Sequence, residues 1–513
     1  MAIASSRRRS SHAALAACAL LSALVVAAPA PANAARPPVV VLVMDEFSLT
    51  TIMTAQHRID SSRFPQLASM AATSTWYRNH TTVSDNTLSA VPSILTGQRP
   101  ATGPSINIDR SHNIYNMLKS RYRVNGYESI THLCSDSLCR EPKEYKWLAG
   151  KKVVGSAESR IRLRKVAQMI HGIRGGGSKP LLWAVHAIFP HVPWSYLPNG
   201  DQYDDEALTY PGMFAYAWLG QNHEYEVALE QQRMIMQAQF ADRIIGALRA
   251  KLVKTGLWDK AMVVVTADHG ISFKPGQEHR SIGSGNFGEI AGVPLLVKYP
   301  GQKARVVSHQ STRSIDILPT IAAATGASSK YRGRTLQSSP TGEEVVVRNG
   351  QKRENERMSM DGMLALQDAA IAQRDARFPN SSLYHRADNQ TVMGRRVSQF
   401  ASVAGASSGT VQIDSPGFFR NARPGSGWLP SSYLSTHTRG LRAGVPIAVA
   451  INGRIAGTGK TFLYAPPPFF PDGPEARIRL AIMLDPAAIK RGRVSLRFYR
   501  QTSSGLQRIS VTK

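Results

Sequence analysis

Residues 38–46 read PVVVLVMDE, and this stretch decides the fold. A continuous apolar run rich in β-branched residues is typical of a strand that is buried on both faces, as in a parallel sheet covered by helices. The run ends in two carboxylates, Asp45 and Glu46. Because ligands bind at the carboxyl ends of strands in open α/β sheets, these two side chains are the first candidates for a functional site.

Three later segments repeat the pattern of a buried strand, at residues 181–187, 260–266 and 294–299. Amphipathic helical spacing separates them, most clearly over residues 224–252. Strands that alternate with helices predict an α/β fold, in which a central, mostly parallel sheet is flanked by helices on both faces.

Two of these strands are followed by further side chains that suit metal or acid–base chemistry. Asp268 and His269 follow one strand, His191 lies in the proline-rich loop after another, and His279 lies ten residues past His269. Carboxylates together with imidazole suit Zn or Mn, and carboxylates alone suit Ca or Mg. Each residue taken singly is more often structural, but their shared placement at one sheet edge favours a site.

Residues 84–97 read SDNTLSAVPSILTG and predict a short helix that starts near Thr87 and stops at Gly97. The three residues before Thr87 are all of types that cap helix N-termini. The Thr87 hydroxyl is therefore expected at the positive end of a helix, where free backbone N–H groups face anions. A metal that lowers the pKa of this hydroxyl would make it a nucleophile, whereas without one the stretch is an ordinary capped helix.

The chain is strongly basic, with a formal net charge of +27 and a pI near 10.3. Such a charge indicates an anionic ester substrate or surface, such as an envelope polymer or a lipid headgroup, although a basic proteome with a solvated surface is an equal alternative. No module that reads nucleic acid is recognisable, so we expect no nucleic-acid partner.

Residues 1–34 have the composition of a secretory signal peptide. Three arginines precede an apolar run over residues 13–28, and residues 32–34 (ANA) form a small-x-small cleavage site. The run is short for a membrane span, so we expect an exported chain with no transmembrane span after signal removal, in the periplasm, the cell envelope or the extracellular space. In such an oxidising compartment Cys134 and Cys139 are expected to form a local disulfide.

The composition changes near residue 341, where the expected catalytic region gives way to one helix and then to segments rich in Gly, Ser and Pro. Later segments alternate like half-buried strands, and Asn452-Gly453 is a strong hairpin signal. The expected divisions are a signal peptide at 1–34, a catalytic domain at 36–340, a helical or linker region at 341–400 and a β-rich accessory domain at 401–513.

Together these motifs resemble those of the alkaline phosphatase and sulfatase superfamily, and specifically of bacterial sulfatase-like proteins. The matching motifs, in order, are MDEF at 44–47, Thr87 ahead of LTG at 95–97, PHVPW at 190–194 and TADHG at 266–270. The resemblance covers residues 39–336 and implies an alkaline-phosphatase-like sheet.

The resemblance also implies roles for the matching residues. Ligands of a divalent metal ion (Zn, Mn, Ca or Mg) are carried over onto Asp45, Glu46, Thr87, Asp268 and His269. Thr87 falls at the position of the nucleophile, and His191 and His279 resemble histidines that contact the transferred group or a second metal. Two-zinc members supply an Asp four residues before the loop histidine, whereas here that position is Ala187, beside His186, so one tightly held metal is expected.

One departure from the family bears on the reaction. Sulfatases convert the Cys or Ser of a Cys/Ser-x-Pro-x-Arg motif to formylglycine, but Thr87 is followed by LSA, with neither that Pro nor that Arg. The Thr-x-x-x-x-Pro spacing is instead similar to phosphoethanolamine transferases, and a Thr nucleophile also serves phosphoglycerol transferases. We therefore expect an exported, metal-dependent hydrolase or transferase of phosphoric or sulfuric esters that forms a covalent intermediate on Thr87. An arylsulfatase-like sulfuric ester hydrolase and a non-catalytic envelope-binding protein are the alternatives.

Overall fold

The structure is a computed structural model. It describes residues 36–101, 111–139, 156–203, 213–214, 217–218, 223–328, 334–387, 391–403, 409–464 and 477–512. The predicted signal peptide, residues 1–34, lies outside the described residues.

The regular elements of the described chain are numbered here in sequence order. The helices are α1 (Leu49–Ile52), α2 (Pro65–Ala71), α3 (Thr87–Thr96), α4 (Ile114–Leu118), α5 (Ser156–His171), α6 (Glu224–Lys254), α7 (Phe287–Ala291), α8 (Ile317–Thr325) and α9 (Met360–Arg377). The strands are β1 (Val39–Asp45), β2 (Thr75–Tyr77), β3 (His80–Thr81), β4 (Arg123–Tyr127), β5 (Leu181–Pro190), β6 (Met213–Phe214), β7 (Ala217–Trp218), β8 (Met262–Ala267), β9 (Leu295–Lys298), β10 (Val306–Ser308), β11 (Thr312–Arg313), β12 (Val345–Asn349), β13 (Glu354–Met358), β14 (Thr410–Ile413), β15 (Tyr433–Arg439), β16 (Pro446–Ile451), β17 (Arg454–Lys460), β18 (Phe462–Tyr464), β19 (Arg477–Met483), β20 (Leu496–Thr502) and β21 (Gly505–Thr512).

A seven-stranded sheet carries the candidate site, with the strand order β10-β2-β9-β8-β1-β5-β4. Strand β1 lies between β8 and β5 and is parallel to both. Strand β9 runs antiparallel to its two neighbours, and the remaining neighbouring pairs are parallel. The predicted α/β fold with a mostly parallel central sheet is confirmed.

Both faces of β1 are buried, which explains its uninterrupted apolar sequence. Val40, Leu42 and Met44 join a hydrophobic cluster that includes residues of α6 on one side of the sheet. The alternate valines belong to a second cluster, which includes residues of α3 and α8 on the other side. Since each fully buried Val or Leu contributes roughly 1.5–3 kcal/mol, this packing fixes the position of the last residue of β1 at the sheet edge.

The C-terminal part of the described chain forms an eight-stranded sheet with the order β17-β16-β20-β21-β14-β15-β19-β18. Asn452 and Gly453, with φ of 51° and 76°, form the turn between β16 and β17, so the predicted hairpin is confirmed. The expected C-terminal β-rich structure is present.

The region between the two large sheets contains the hairpin β12–β13 and helix α9. Two buried arginines of α9 attach it to the first sheet domain. Arg374 donates to the carbonyl oxygen of Thr51 at 3.1 Å, and Arg377 donates to that of Phe273 at 3.0 Å. Residues 345–377 therefore pack as part of the protein body that surrounds the candidate site.

Two further expectations concern the cysteines and the membrane. Cys134 and Cys139 form the predicted disulfide. Among the helices that the structure describes, none combines the length and the apolar character required to cross a lipid bilayer.

Candidate active site

Three neighbouring strands bring polar side chains to one edge of the central sheet. Asp45 is the last residue of β1, Asp268 follows β8, and His186 lies four residues before the end of β5. Met44 is in register with Ala267, so Asp268 comes beside Asp45. The side chains of Asp45, His186 and Asp268 are all buried.

Asp45, His186 and Asp268 form a group that fits a divalent cation. One ligand atom from each lies within 4.8 Å of the others, and His186 Nε2 is 3.3 Å from Asp45 Oδ2. Both carboxylate oxygens of Asp45 and Oδ2 of Asp268 are buried without a hydrogen-bond partner. Buried charges need such compensation, and ligands about 2.0–2.1 Å from a tetrahedral metal lie about 3.3 Å apart. The donor set and its spacing therefore suit a metal ion.

The pKa shifts of the two carboxylates in this group also indicate a cation site. Burial raises the pKa of Asp268, and the negative charge of Asp45 raises it further. Burial also acts to raise the pKa of Asp45, but the charge of His191 and the contact with His186 outweigh it and hold that pKa below its ordinary value. Two carboxylates thus repel each other in a site with little water, and a divalent cation would relieve that repulsion.

Thr87 is the first residue of α3, as predicted, and Asn86 caps the helix by accepting a hydrogen bond from the Leu88 N–H at 3.0 Å. Thr87 Oγ1 lies 3.2 Å from His269 Nε2. His269 Nδ1–H donates to the carbonyl oxygen of Gly270 at 2.9 Å, so Nε2 is the ring nitrogen that faces the Thr87 hydroxyl. The structure thus brings together the predicted nucleophile and a predicted ligand.

Asp268 connects this pair to the carboxylate group. Its Oδ1 accepts the backbone N–H of His269 at 2.6 Å and that of Glu46 at 3.2 Å. Its other oxygen, Oδ2, is 3.6 Å from His269 Nε2. Asp268 therefore lies between the Thr87–His269 pair and Asp45. The predicted nucleophile and these predicted metal ligands thus form one continuous group.

Glu46, also predicted as a ligand, has a left-handed backbone with φ of 57°. Its Oε1 is 2.6 Å from Arg280 Nε and 3.5 Å from His191 Nε2, while its Oε2 accepts the Val192 N–H at 3.3 Å. A non-glycine residue at such a φ costs of order 1 kcal/mol, so packing and these contacts hold Glu46 in place. Its carboxylate ties Arg280 and the His191 loop to the end of β1.

The ring of His279, the remaining predicted site residue, is buried with its centroid 5.6 Å from that of Trp218. Its carbonyl oxygen accepts the Ser272 N–H at 2.9 Å. The next residue is Arg280, whose guanidinium reaches Glu46. His279 thus helps to fix the loop that delivers Arg280.

Two residues of this site are absent from the sequence prediction. His186, noted only as a neighbour of the Ala187 position, interrupts an otherwise apolar strand, and a polar residue inside a buried strand is the signal that identifies it. Ser129 Oγ lies 2.6 Å from His186 Nδ1 and orients its ring. Arg280 gives no comparable signal, because the chain has many arginines and its position depends on the path of the loop after β8.

Asp85 connects the Thr87 loop with two other segments. Its Oδ2 accepts the Ile282 N–H at 2.9 Å and its Oδ1 accepts the Gly350 N–H at 2.8 Å. The first bond reaches the loop that carries Arg280, and the second reaches the turn of the β12–β13 hairpin. This buried carboxylate thus sets the position of Thr87 relative to Arg280.

The family model described as "Sulfatase" matches residues 37–327, more than half of the chain. The chain therefore belongs to the sulfatase family, within the alkaline phosphatase and sulfatase superfamily, and is an ester hydrolase by class.

Solved structures to which this chain is similar include both phosphonate monoester hydrolases and sulfatases. The phosphonate monoester hydrolase of Silicibacter pomeroyi is 16% identical over 61% of this chain and 80% of its own, with a TM-score of 0.43. The corresponding enzyme of Agrobacterium radiobacter is 16% identical over 66% and 84%, with a TM-score of 0.43. A 2-O GAG sulfatase is 12% identical over 67% and 88%, with a TM-score of 0.46.

Proposed function

We propose that this chain is an exported, metal-dependent hydrolase of phosphoric or sulfuric esters that uses Thr87 as its nucleophile. The observation that carries this proposal is the 3.2 Å separation of Thr87 Oγ1 and His269 Nε2, adjacent to a buried, uncompensated carboxylate group. A helix N-terminus, an imidazole and a cation site thus surround one hydroxyl.

Asp45, His186 and Asp268 would hold the metal, with Glu46 beside them and His269, also expected as a ligand, beside Thr87. Mixed carboxylate and imidazole donors favour Zn or Mn over Ca or Mg. When bound, a divalent metal lowers the pKa of a hydroxyl and offsets charge on a transferred anion. Because both oxygens of Asp45 are free of hydrogen bonds, that residue is the first candidate ligand.

In the first step, Thr87 Oγ1 attacks the phosphorus or sulfur in line with the leaving oxygen, and the hydroxyl proton of Thr87 passes to His269 Nε2, 3.2 Å away. The bond from Oγ1 forms as the ester bond breaks, and the leaving oxygen takes a proton from His191 Nε2. Nδ1–H of His191 donates to the carbonyl oxygen of Val192 at 2.5 Å, so the ring presents Nε2. In the second step, water gives a proton to His191 Nε2 and attacks the phosphorus or sulfur, and the bond to Thr87 Oγ1 breaks. Oγ1 takes its proton back from His269 Nε2, and the transferred group leaves on the oxygen of the water.

Arg280 and the N-terminus of α3 stabilise the anionic group during transfer. The Arg280 guanidinium is anchored by Glu46 and one quarter exposed, and its several N–H donors allow it to bind a substrate oxygen as well. The first turn of α3 adds the positive end of the helix dipole. These fixed positive groups act where negative charge develops.

Export is supported by the composition of residues 1–34 and by the disulfide between Cys134 and Cys139. Disulfides persist in oxidising compartments such as the periplasm and the extracellular space. We keep residues 36–340 as the catalytic domain and residues 401–513 as an accessory domain, because the seven-stranded sheet lies within the first range and the eight-stranded sheet within the second.

The function can be tested with aryl phosphodiesters, phosphomonoesters and sulfates assayed side by side on the purified protein. We expect turnover of at least one class, loss after chelation, and recovery with Zn or Mn. Thr87→Ala should lower kcat/KM on the order of 10³-fold or more, whereas Thr87→Ser, which keeps a hydroxyl, should retain part of it.

Ser89→Ala is the matched control, because it removes another buried hydroxyl from the same helix, and it should leave turnover nearly unchanged. Preference for the sulfate substrates would identify the arylsulfatase-like alternative. Absence of turnover with every substrate, in a protein that also retains no metal, would favour the non-catalytic envelope-binding protein and reject the proposal.

A further inference from the structure

Residues 128–139 form a loop that follows β4, the strand at one side of the seven-stranded sheet. Strand β4 is parallel to β5, and Tyr127 is in register with Val185, the residue before His186. Ser129 lies two residues beyond Tyr127, and its Oγ is 2.6 Å from His186 Nδ1. The loop therefore begins directly beside one of the candidate metal ligands.

The contact with Ser129 decides which nitrogen of His186 can serve as a ligand. His186 Nε2 is 3.3 Å from Asp45 Oδ2, so Nε2 faces the candidate cation site. An imidazole that presents the lone pair of Nε2 to a cation carries its proton on Nδ1. This Nδ1–H then donates to Ser129 Oγ, and such a bond fixes the ring orientation of a ligating histidine. The metal affinity therefore depends on where the loop holds the Ser129 hydroxyl.

The buried carboxylate of Glu128 folds this loop back on itself. Its Oε1 accepts the backbone N–H groups of Leu133 at 3.1 Å and of Cys134 at 2.9 Å. Its Oε2 accepts the hydroxyl of Thr131 at 2.5 Å. These three hydrogen bonds connect the residue next to Ser129 with the first cysteine of the disulfide.

The disulfide fastens the far end of the loop to β4. Cys134 is bonded to Cys139, which is buried. A Cβ at Gly126 would lie only 2.7 Å from Cys139 Sγ, so this sulfur packs directly on the backbone of β4 at a residue without a side chain. The S–S bond is thus the covalent link between Cys134, which donates to Glu128, and Cys139, which rests on the strand. If that bond breaks, the part of the loop that Glu128 holds loses its covalent attachment to Cys139 and thus to β4.

We propose that loop 128–139 is a positioning element of the metal site, through which the oxidation state of Cys134 and Cys139 sets the metal affinity. A dithiol reductant gives two electrons and two protons, the S–S bond breaks into two thiols, and the dithiol is oxidised to its own disulfide. Ser129 is then held less firmly beside His186, and the affinity for the cation falls. This inference rests on the metal site of the proposed function and on no step of its reaction.

Metal affinity can be measured without turnover, by titrating the full chain with Mn²⁺ and following free Mn²⁺ by electron paramagnetic resonance. Mn²⁺ suits carboxylate donors and has little affinity for thiols, so reduced cysteines do not compete for the probe. We expect Ser129→Ala to weaken Mn²⁺ binding roughly 10- to 100-fold, and Ser129→Thr, which keeps a hydroxyl, to retain most of the affinity. Ser137→Ala, which removes an exposed hydroxyl from the same loop, is the matched control and should leave the affinity unchanged.

The role of the disulfide is tested in the wild type reduced with dithiothreitol and in the double variant Cys134→Ser, Cys139→Ser. Each should bind Mn²⁺ about 3-fold or more weakly than the oxidised wild type, and reoxidation of the wild type should restore the affinity. In Ser129→Ala, reduction should cause little further loss, because the hydroxyl that the loop positions is already absent. Equal affinities of the reduced and oxidised wild type would overturn the proposal. An undiminished further loss in Ser129→Ala would overturn it too, as would an unchanged affinity in the oxidised form of that variant.

Turnover of the aryl esters separates this inference from the proposed function. If Mn²⁺ binding follows the disulfide but no ester is hydrolysed, the proposed function fails and the positioning role of the loop remains. If an ester is hydrolysed by the metal-loaded protein and the oxidation state leaves the Mn²⁺ affinity unchanged, the positioning role fails alone. A wild type that binds no divalent metal in either oxidation state would reject both.

Discussion

Two buried histidines show how the neighbouring atom decides a side chain's role. His80 Nδ1 is 3.0 Å from the hydroxyl of Thr312, and burial lowers the pKa of His80 to about 3. Burial acts on His186 in the same direction, but its contact with Asp45 outweighs it and raises the pKa of His186. His80 is therefore a neutral structural residue, whereas His186 lies in a charged group.

His80 should make the protein sensitive to acid. Its pKa is about 3 when folded and about 6.5 in an unfolded chain, so the unfolded state binds the extra proton as pH falls below 6.5. Stability from neutral His80 is complete above pH 6.5 and is lost at about 1.4 kcal/mol per pH unit toward pH 3. The free energy of unfolding of the wild type, relative to that of His80→Asn, should fall by about 3 kcal/mol between pH 6.5 and 4, as measured by denaturant unfolding.

Thr312→Val is the control, because it removes the hydrogen-bond partner and keeps the titrating ring. This variant should lose stability at all pH values and still follow the pH slope of the wild type. Parallel stability curves for the wild type and His80→Asn would contradict this interpretation of His80.

At the residue scale, the sequence identifies side chains at strand and helix ends and overlooks those placed by tertiary structure. Asp45, Asp268 and Thr87 occupy element ends that apolar runs and capping residues reveal. Arg280 lies in an irregular loop, where no periodicity shows which way a side chain points. Its contact with Glu46 exists only because that loop and the end of β1 meet in the fold.

At the scale of elements, the β12–β13 hairpin is the part of the site that the sequence prediction assigned to a helical or linker region. The Arg348 N–H donates to the carbonyl oxygen of Val83 at 2.9 Å, which places β12 beside the segment before Thr87. The Asn349 side chain donates to the carbonyl oxygen of Ile282 at 2.8 Å. The hairpin thus holds the Thr87 and Arg280 loops together, a pairing that its own sequence does not encode.

Asp85 is the residue that should report this connection. In Asp85→Asn, one of the two backbone N–H donors, of Ile282 or Gly350, would face the new amide N–H₂ and lose its acceptor. An unsatisfied buried donor costs about 1–3 kcal/mol of free energy. If this cost displaces Thr87 and Arg280 from their positions in the transition state, kcat/KM should fall about 5- to 150-fold. Amide hydrogen exchange of residues 281–283 and 349–352 should accelerate at the same time.

Asp485→Asn provides the comparison, because Asp485 also accepts a backbone N–H, from Ala487 at 2.9 Å, but lies in the C-terminal region. It should leave both turnover and exchange in those segments unchanged. Unchanged turnover in Asp85→Asn, together with accelerated exchange, would contradict the link between the hairpin and the chemistry.

At the scale of the whole molecule, the site exists because three parallel strands end together. Asp45, His186 and Asp268 are more than two hundred residues apart at the extremes, and the order β8-β1-β5 makes their strands neighbours. Alternation of strands and helices predicts a parallel sheet but not the order of its strands. The sequence therefore indicates that functional side chains lie at the carboxyl edge of the sheet, but it does not indicate which strands are neighbours there. The resemblance to the superfamily, rather than the alternation of strands and helices, assigns Asp45 and Asp268 to one site.

Charge is also distributed unevenly over the molecule. Residues 401–513 contain 15 Lys and Arg against 4 Asp and Glu. A region with that imbalance attracts polyanions over distances of about a Debye length, near 10 Å at 0.1 M salt.

The most direct test is to identify the covalent adduct. The wild type is mixed with a substrate that it turns over, quenched with acid within the first turnover, and analysed by intact mass and peptide mapping. We predict the added mass of one phosphoryl or sulfuryl group on the peptide that contains Thr87, and its absence in Thr87→Ala. An active protein that carries the adduct on another residue, or none while Thr87→Ala remains active, would contradict the assignment of Thr87 as the nucleophile.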